Sequence, residues 1–374
     1  MKRFYCNNCG NEVHFESTEC VTCHQILGYE PVSATMLATT RGEAWHGSDG
    51  AEYNVCANMS AIGCNWLVPA GGPDTLCIAC RHNHTIPDLS QPQNQERWRR
   101  LEAAKRRLFY SLLRWNLPLP MRQVDGDGGL AFDFLADTVN PDGSVTPVLT
   151  GHADGLITIN IAEGDDAERE RRRTDMGEPY RTLVGHFRHE IGHYYWDRLV
   201  RDGGPLDAFR ALFGDERIDY GEALQRHYAE GAPFDWADNY ISTYAAAHPW
   251  EDFAETFAHY LHMVDALETA HAYGLLVQPG YGSEPGEVME NPYNITTIDA
   301  LIAAFVPITV AMNAINRSMG QPDLYPFVLS RPVEEKLGFV HRLIHQWDAA
   351  AAETLSLDPA MLDAARAPRR RWFL

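Results

Sequence analysis

The sequence predicts an α+β chain in two parts: a small cysteine-rich, metal-binding module, then a larger, mostly helical domain with a small β-sheet. Three observations carry this. All eight cysteines fall between Cys6 and Cys80, so the module sits at one end of the 374 residues. From Glu178 onward apolar residues recur three and four apart, the helical period. Between these regions, residues 130–135 and 156–162 read as short strands; in the second, Ile157, Ile159 and Ile161 alternate with Thr158, Asn160 and Ala162.

Composition bounds the rest. A hydrophobic share of 45% and a charged share of 22% suit a globular chain with a sizeable core. The net charge of -20 repels phosphate backbones, so no nucleic-acid partner is expected. The basic runs 97–107, 169–173 and 366–371 read as solvated faces or tails. The most apolar run, residues 300–312, falls short of the ~20 residues a membrane helix needs and is interrupted by Pro307. A buried, kinked helix is expected there, and no membrane partner. Lys2 and Arg3 are followed by no apolar signal region, which makes the cytoplasm the expected location.

The module, residues 1–86, begins with two knuckle-like pairs, Cys6-x2-Cys9 and Cys20-x2-Cys23. Zinc prefers four soft ligands in a tetrahedron, and a CxxC turn offers two sulfurs on one side of such a site. These four cysteines form one expected structural zinc site. Cys56, Cys64, Cys77 and Cys80 form the second, with His82 or His84 as substitutes for one ligand. Four protein ligands leave no open position for chemistry. Residues 87–92, with prolines at both ends, read as a linker into a domain spanning 93–374. That domain opens with a helix at about 95–115, placing Leu101, Leu108, Leu112 and Leu113 on one side, and residues 117–120 stop it.

Residues 185–196 contain His189-Glu190-x-x-His193. On a helix, residues four apart stand one turn above each other, so two imidazoles can grip one zinc ion. Glu190 lies beside them as a general base for the water that the metal polarises. Pro179 fits the first turn of this helix, Val184, Phe187, Ile191 and Tyr194 form its apolar stripe, and residues 202–205 end it. A second helix starts near His248-Pro249 and carries Phe253, Phe257, Tyr260 and Leu261 on one face and Glu251 and Glu255 on another. Two carboxylates in line suit one metal ligand and one partner for a ligand histidine. A first-turn Glu251 can lean out to a metal; Glu255, a turn deeper, can accept a ring N–H. Around these, His186 reads as support, His259 and His262 as hydrogen-bonded core, and His227 and His248 as surface or capping residues. The Gly151–Gly155 turn could border the cleft, with residues 156–162 as an edge strand for substrate or an ordinary core strand.

The HExxH helix followed by a glutamate-bearing helix resembles the gluzincins. The Glu251-x-Phe253-Ala254-Glu255-x-Phe257 stretch is similar to the corresponding helix of anthrax lethal factor. That resemblance implies zinc held by His189, His193 and Glu251, with Glu255 steadying a ligand histidine. It also implies that Tyr244, seven residues before Glu251, hydrogen-bonds the oxyanion. Over most of its length the chain is similar to bacterial proteins described as zinc-binding metallopeptidases with a zinc ribbon. The resulting expectation is a zincin-like peptidase acting on a peptide or protein, with one catalytic and two structural zinc ions. The rivals are a zinc-ribbon adaptor with a structural metal site and a zinc hydrolase of a non-peptide amide.

Overall fold

The computed structural model describes residues 1–175, 182–278, 286–287 and 291–347. Its contacts separate two units: Arg3–Gly164, and Asp165–Trp347 together with Met1–Lys2.

The first unit opens with small antiparallel pieces that hold the cysteines. Strands β1 (Phe4–Tyr5) and β2 (Glu12–Val13) form one hairpin, and β3 (Ile26–Glu30) and β4 (Thr35–Thr39) a second. Strands β5 (Trp45–His46), β6 (Glu52–Val55) and β7 (Leu67–Pro69) form a three-stranded sheet, with the short helix α1 (Met59–Ile62) between β6 and β7. Helix α2 (Ile78–Arg81) leads into β8 (Asn83–Thr85), and α3 (Pro92–Arg114) follows. After α4 (Arg122–Asp125) come β9 (Ala131–Leu135), the hairpin β10 (Thr138–Val139) and β11 (Val145–Thr146), then β12 (Gly151–Ala153) and β13 (Leu156–Asn160).

Helix α3 ties this unit together. Pro92 stands at its first turn, where a missing N–H costs nothing, so the expected linker ends inside the helix. Leu101, Leu108 and Leu112 are buried as the apolar stripe requires, while Leu113 is half-buried. Tyr110 reaches into the aromatic core of the cysteine module, 5.6 Å from the Phe15 ring, where Tyr29 and Trp66 also pack. Phe109 lies 6.1 Å from Phe132 of β9. The four-stranded sheet has the order β12-β13-β9-β8, with β8 and β13 both parallel to β9. The sheet therefore joins three strands from the expected larger domain to one, β8, from the cysteine module. Compactness divides the chain at Gly164. Strand β13 is internal, with Ile157 and Ile159 buried, so it is a core strand and offers no free edge.

The second unit is helical. It comprises α5 (Asp166–Asp175), α6 (Leu183–Tyr195), a π-helical turn Trp196–Arg201, α7 (Leu206–Phe213), α8 (Tyr220–Glu230), α9 (Trp236–Asn239) and α10 (Pro249–Ala272). The short pair β14 (Leu276–Val277) and β15 (Gly286–Glu287), then α11 (Ile298–Ser318) and α12 (Arg331–Gln346), complete it. Thr182 caps α6 by accepting from the Gly185 N–H at 3.0 Å; Pro179, expected in the first turn, lies outside the described residues. Phe187, Ile191 and Tyr194 are buried. Phe209, Phe213, Phe253 and Phe339 pack edge-on and stacked around the base of α10. Buried Lys336 of α12 pairs with buried Asp252 at 2.6 Å, satisfying a charge that the core could not otherwise hold.

Helix α11 departs from expectation. It runs 21 residues, longer than the apolar run 300–312 suggests, with Pro307 inside it. Among the described residues Leu301, Phe305 and Ile308 are its buried positions, and the helix meets β14, β15, α10 and α12. Val306, Val310 and Ile315 are exposed. By length and composition α11 is apolar enough to cross a membrane.

Candidate metal centres

Helices α6 and α10 cross where Gly192 meets Ala254; a Cβ on Gly192 would stand 2.9 Å from the Ala254 Cα. This close approach carries His189 and His193 to the first turn of α10, where Glu251 waits. The two histidine Nε2 atoms are 3.1 Å apart. Glu251 Oε2 lies 3.0 Å from one and 3.3 Å from the other. A tetrahedron with zinc–nitrogen arms of ~2.0–2.1 Å has edges of about 3.3 Å. The three atoms are thus spaced as three corners of such a site. Glu251 Oε2 is buried and makes no hydrogen bond of ordinary geometry, an arrangement that suits a cation.

The surrounding groups hold this triangle. Glu255 Oε1 lies 2.7 Å from His189 Nδ1, fixing the ring so that Nε2 faces Glu251. Ser242 donates to Glu255 Oε2 at 2.7 Å. Tyr220 donates to Glu251 Oε1 at 2.5 Å. Glu190 is buried, with His186 Nε2 3.3 Å from its Oε1. The Tyr244 ring lies 5.8 Å from that of His189, and Trp250 lies 4.3 Å from that of His193. His248 caps α10 by accepting from the Trp250 N–H at 3.0 Å.

The electrostatics follow from burial and charge. Burial alone would push the His189 ring towards neutrality, but Glu251 and Glu255 outweigh it and hold its pKa well above the ordinary value. A protonated ring would donate from Nδ1 to Glu255 and from Nε2 to Glu251, and zinc would take the place of the Nε2 proton. Burial works to raise Glu190, yet His186, His189 and His193 bring its pKa below the usual carboxylate range. Glu255 is likewise drawn down, to about 2, because His189 outweighs its burial. Burial and the neighbouring Glu251 push the Tyr244 phenol up, so it remains a proton donor.

The cysteines form two sets. Cys6 Sγ is 3.7 Å from Cys23 Sγ, and Cys9 Sγ is 3.6 Å from Cys20 Sγ. Cys64 Sγ is 3.7 Å from Cys77 Sγ and 3.8 Å from Cys80 Sγ, and the Cys77 N–H donates to Cys56 Sγ at 3.3 Å. Zinc–sulfur arms of ~2.3 Å give tetrahedral edges of about 3.8 Å, whereas a disulfide would bring sulfurs to ~2.05 Å. Both sets thus have the spacing of a four-thiolate zinc site. His82 and His84 are not needed: His82 bonds the Ile78 carbonyl at 2.7 Å, and His84 meets Asp133 at 2.8 Å. The sets differ in burial. Cys9 of the first is exposed, while all four cysteines of the second are buried. Beside the second lies Arg106 of α3, also buried, whose Nε and Nη1 have no hydrogen-bond partner among the described residues. Burial lowers its pKa, but the charges of Cys64, Glu102, Cys80 and Cys77 outweigh that and raise it.

Residues 94–343 match the family described as "Putative zinc-binding metallo-peptidase". The chain belongs to this metallopeptidase family. Residues 3–91 match a zinc-ribbon domain family. Relatives of the chain include uncharacterized proteins of Mycobacterium tuberculosis and Mycobacterium bovis. They are 41% identical over 347 residues, covering 92% of this chain and 96% of theirs. No solved structure matches it. Zinc is accordingly the metal that both the family and the donor sets support.

Sequence reasoning brought His189, His193, Glu251 and Glu255 to one place, and the geometry assembles them there. His259 and His262 are core histidines: His259 bonds the Tyr325 hydroxyl at 2.8 Å, and His262 meets Arg188. Tyr220, Ser242 and Arg106 carry no such signal in the sequence. Tyr220 begins a separate helix 31 residues before Glu251, and no periodicity links the two. Ser242 stands in a loop. Arg106 hides among the other basic residues of α3.

Proposed function

We propose that the chain is a zinc-dependent peptidase of the gluzincin type, hydrolysing an amide bond in a peptide or protein. The observation that carries this reading is the three-cornered donor set of His189, His193 and Glu251 with a buried carboxylate, Glu190, beside it. A structural site fills four positions with protein ligands; three leave one open, as catalytic zinc sites do. An adaptor with a structural metal has no use for Glu190 and its His186 partner. The cysteine sets, with four sulfurs each, suit two structural ions.

When bound, zinc would polarise a water molecule and the scissile carbonyl. The roles of the chain's own groups follow from their placement. His189, His193 and Glu251 hold the ion. Glu190, kept ionised by the three histidines near it, accepts a proton from water and delivers it to the leaving nitrogen. His186 keeps the Glu190 carboxylate aimed. Tyr244, still protonated at neutral pH, donates a hydrogen bond to the carbonyl oxygen as negative charge develops there. Glu255 keeps the His189 ring in the orientation that offers Nε2.

The test compares wild type with Glu190→Gln on a proteome-derived peptide library. Glutamine keeps the shape and removes the base, so hydrolysis falls by roughly 10²-fold or more while zinc content stays constant. Hydrolysis that survives the substitution refutes the proposed role of Glu190. Absence of peptide cleavage by zinc-loaded wild type refutes the peptidase reading.

A further inference from the structure

We propose that two tyrosines divide the work of the helical metal site: Tyr220 positions the ligand Glu251, and Tyr244 serves the substrate. This inference rests on the zinc site proposed above and adds a residue to it.

A carboxylate has two equivalent oxygens. Left alone, it can swing between one-oxygen and two-oxygen contact with a metal, and each swing moves the ion. A hydroxyl fixed on one oxygen removes that freedom. Tyr220 supplies one: its hydroxyl donates to Glu251 Oε1, while Oε2 faces both histidines without a hydrogen bond of ordinary geometry. The same logic recurs next door. Ser242 holds Glu255 Oε2, and Oε1 is left for His189. Each carboxylate thus has a hydroxyl on one oxygen and its working partner on the other.

The Tyr220 ring is itself held by the segment it serves. It packs edge-on against His248, with centroids 5.2 Å apart, and against Trp250 at 5.7 Å. These residues flank the start of α10, directly before Glu251. At the other side, Asp219 caps α8 by accepting from the Glu222 N–H at 2.8 Å, which fixes the turn from which Tyr220 projects. Tyr244 has a different placement. It begins a short 3-10 turn, its ring stands 5.8 Å from that of His189, and its hydroxyl meets the hydroxyl of Tyr220, which is the one that donates to Glu251. The hydrogen bond to the ligand thus comes from Tyr220, and Tyr244 is the tyrosine left to serve substrate.

The experiment uses the full chain and follows the zinc equivalent that His189→Ala loses. Chelator competition measures its affinity in Tyr220→Phe, Tyr244→Phe and Glu251→Gln. Removing a partner of a metal ligand typically costs 10- to 100-fold in affinity, so Tyr220→Phe weakens this zinc by that much. Tyr244→Phe leaves the affinity unchanged and lowers peptide turnover. Phenylalanine preserves the Tyr220 ring packing, and circular dichroism checks folding. The double variant Tyr220→Phe/Glu251→Gln separates positioning from a general structural role: if Tyr220 acts only through Glu251, it binds zinc no more weakly than Glu251→Gln alone. Wild-type zinc affinity in Tyr220→Phe, or additive losses in the double variant, overturns the inference. A zinc affinity that depends on Tyr220 in a chain that cleaves no peptide supports the positioning role and removes the peptidase reading.

Discussion

Replacing Gly192 with alanine tests whether the metal triangle depends on how closely two helices approach. The added Cβ would stand 2.9 Å from the Ala254 Cα and 3.0 Å from its carbonyl oxygen, both backbone atoms of α10. Carbon contacts ordinarily settle at ~3.5–4.0 Å, so α6 and α10 must part by roughly 0.6–1 Å. The distances of 3.0 and 3.3 Å between Glu251 and the two histidines span that same gap. Metal–ligand distances tolerate only about ±0.2 Å, so the widened triangle no longer fits zinc. Stability is the poorer readout, because overpacking costs ~1–3 kcal/mol while alanine in place of glycine regains up to ~1 kcal/mol of helix propensity. Zinc affinity is decisive: a loss of only ~1.4 kcal/mol appears as a tenfold weaker dissociation constant. The expected result of competitive titration is a drop of tenfold or more at this one site, with no ligand altered. A Gly192→Ala chain that binds zinc as wild type does would refute the argument that close packing at this crossing sets the ligand geometry.

Other outcomes follow from groups away from the ligands. Arg106→Met removes the buried cation that acts on Cys64, Cys77 and Cys80 of the second cysteine set, leaving Lys105 beside Cys80. Losing one partner of a buried charge pair costs ~3–5 kcal/mol, so chelator-driven zinc release from that set accelerates by 10²-fold or more; an unchanged rate counts against charge compensation. His259 is buried and its pKa is pushed down to about 4 by desolvation. Its contribution to stability is complete above the unfolded value near 6.5 and is lost as pH falls towards 4, because the unfolded chain takes up a proton first. Between pH 7 and pH 5 that amounts to about 2 kcal/mol in urea unfolding. His259→Leu should flatten this part of the pH profile, and a slope that stays unchanged would assign the acid sensitivity to other groups.

What was legible in the sequence is what local spacing encodes. Residues four apart on a helix share a face, so His189 with His193 and Glu251 with Glu255 could be paired before any coordinates existed. CxxC spacing did the same for the first cysteine set. The missing parts depend on distant segments meeting. Tyr220 reaches Glu251 because α8 folds back over the start of α10, and nothing in either segment announces the other. Arg106 and Lys105 resemble the other basic residues of α3 until burial distinguishes them. The compositional break at residues 87–92 is real, yet Tyr110 and Phe109 anchor α3 to the module and the sheet alike, so composition and compactness part the chain at different points. The exposure of α11 is equally invisible in one dimension, since an apolar run carries no mark of how many neighbours will cover it.

The placement of the three donor sets along the chain gives their assembly a timetable. Ligands of the first set are all present once Cys23 has been made, and those of the second once Cys80 has. The helical set closes only with Glu251, 171 residues after Cys80. At ~5–20 residues per second, a ribosome needs roughly 9 to 34 s to cover that distance. A nascent chain can therefore fill its cysteine sets while the histidine site does not yet exist. A cell short of zinc would then load the sulfur sites of each new chain first, and the histidine site would be the one left waiting.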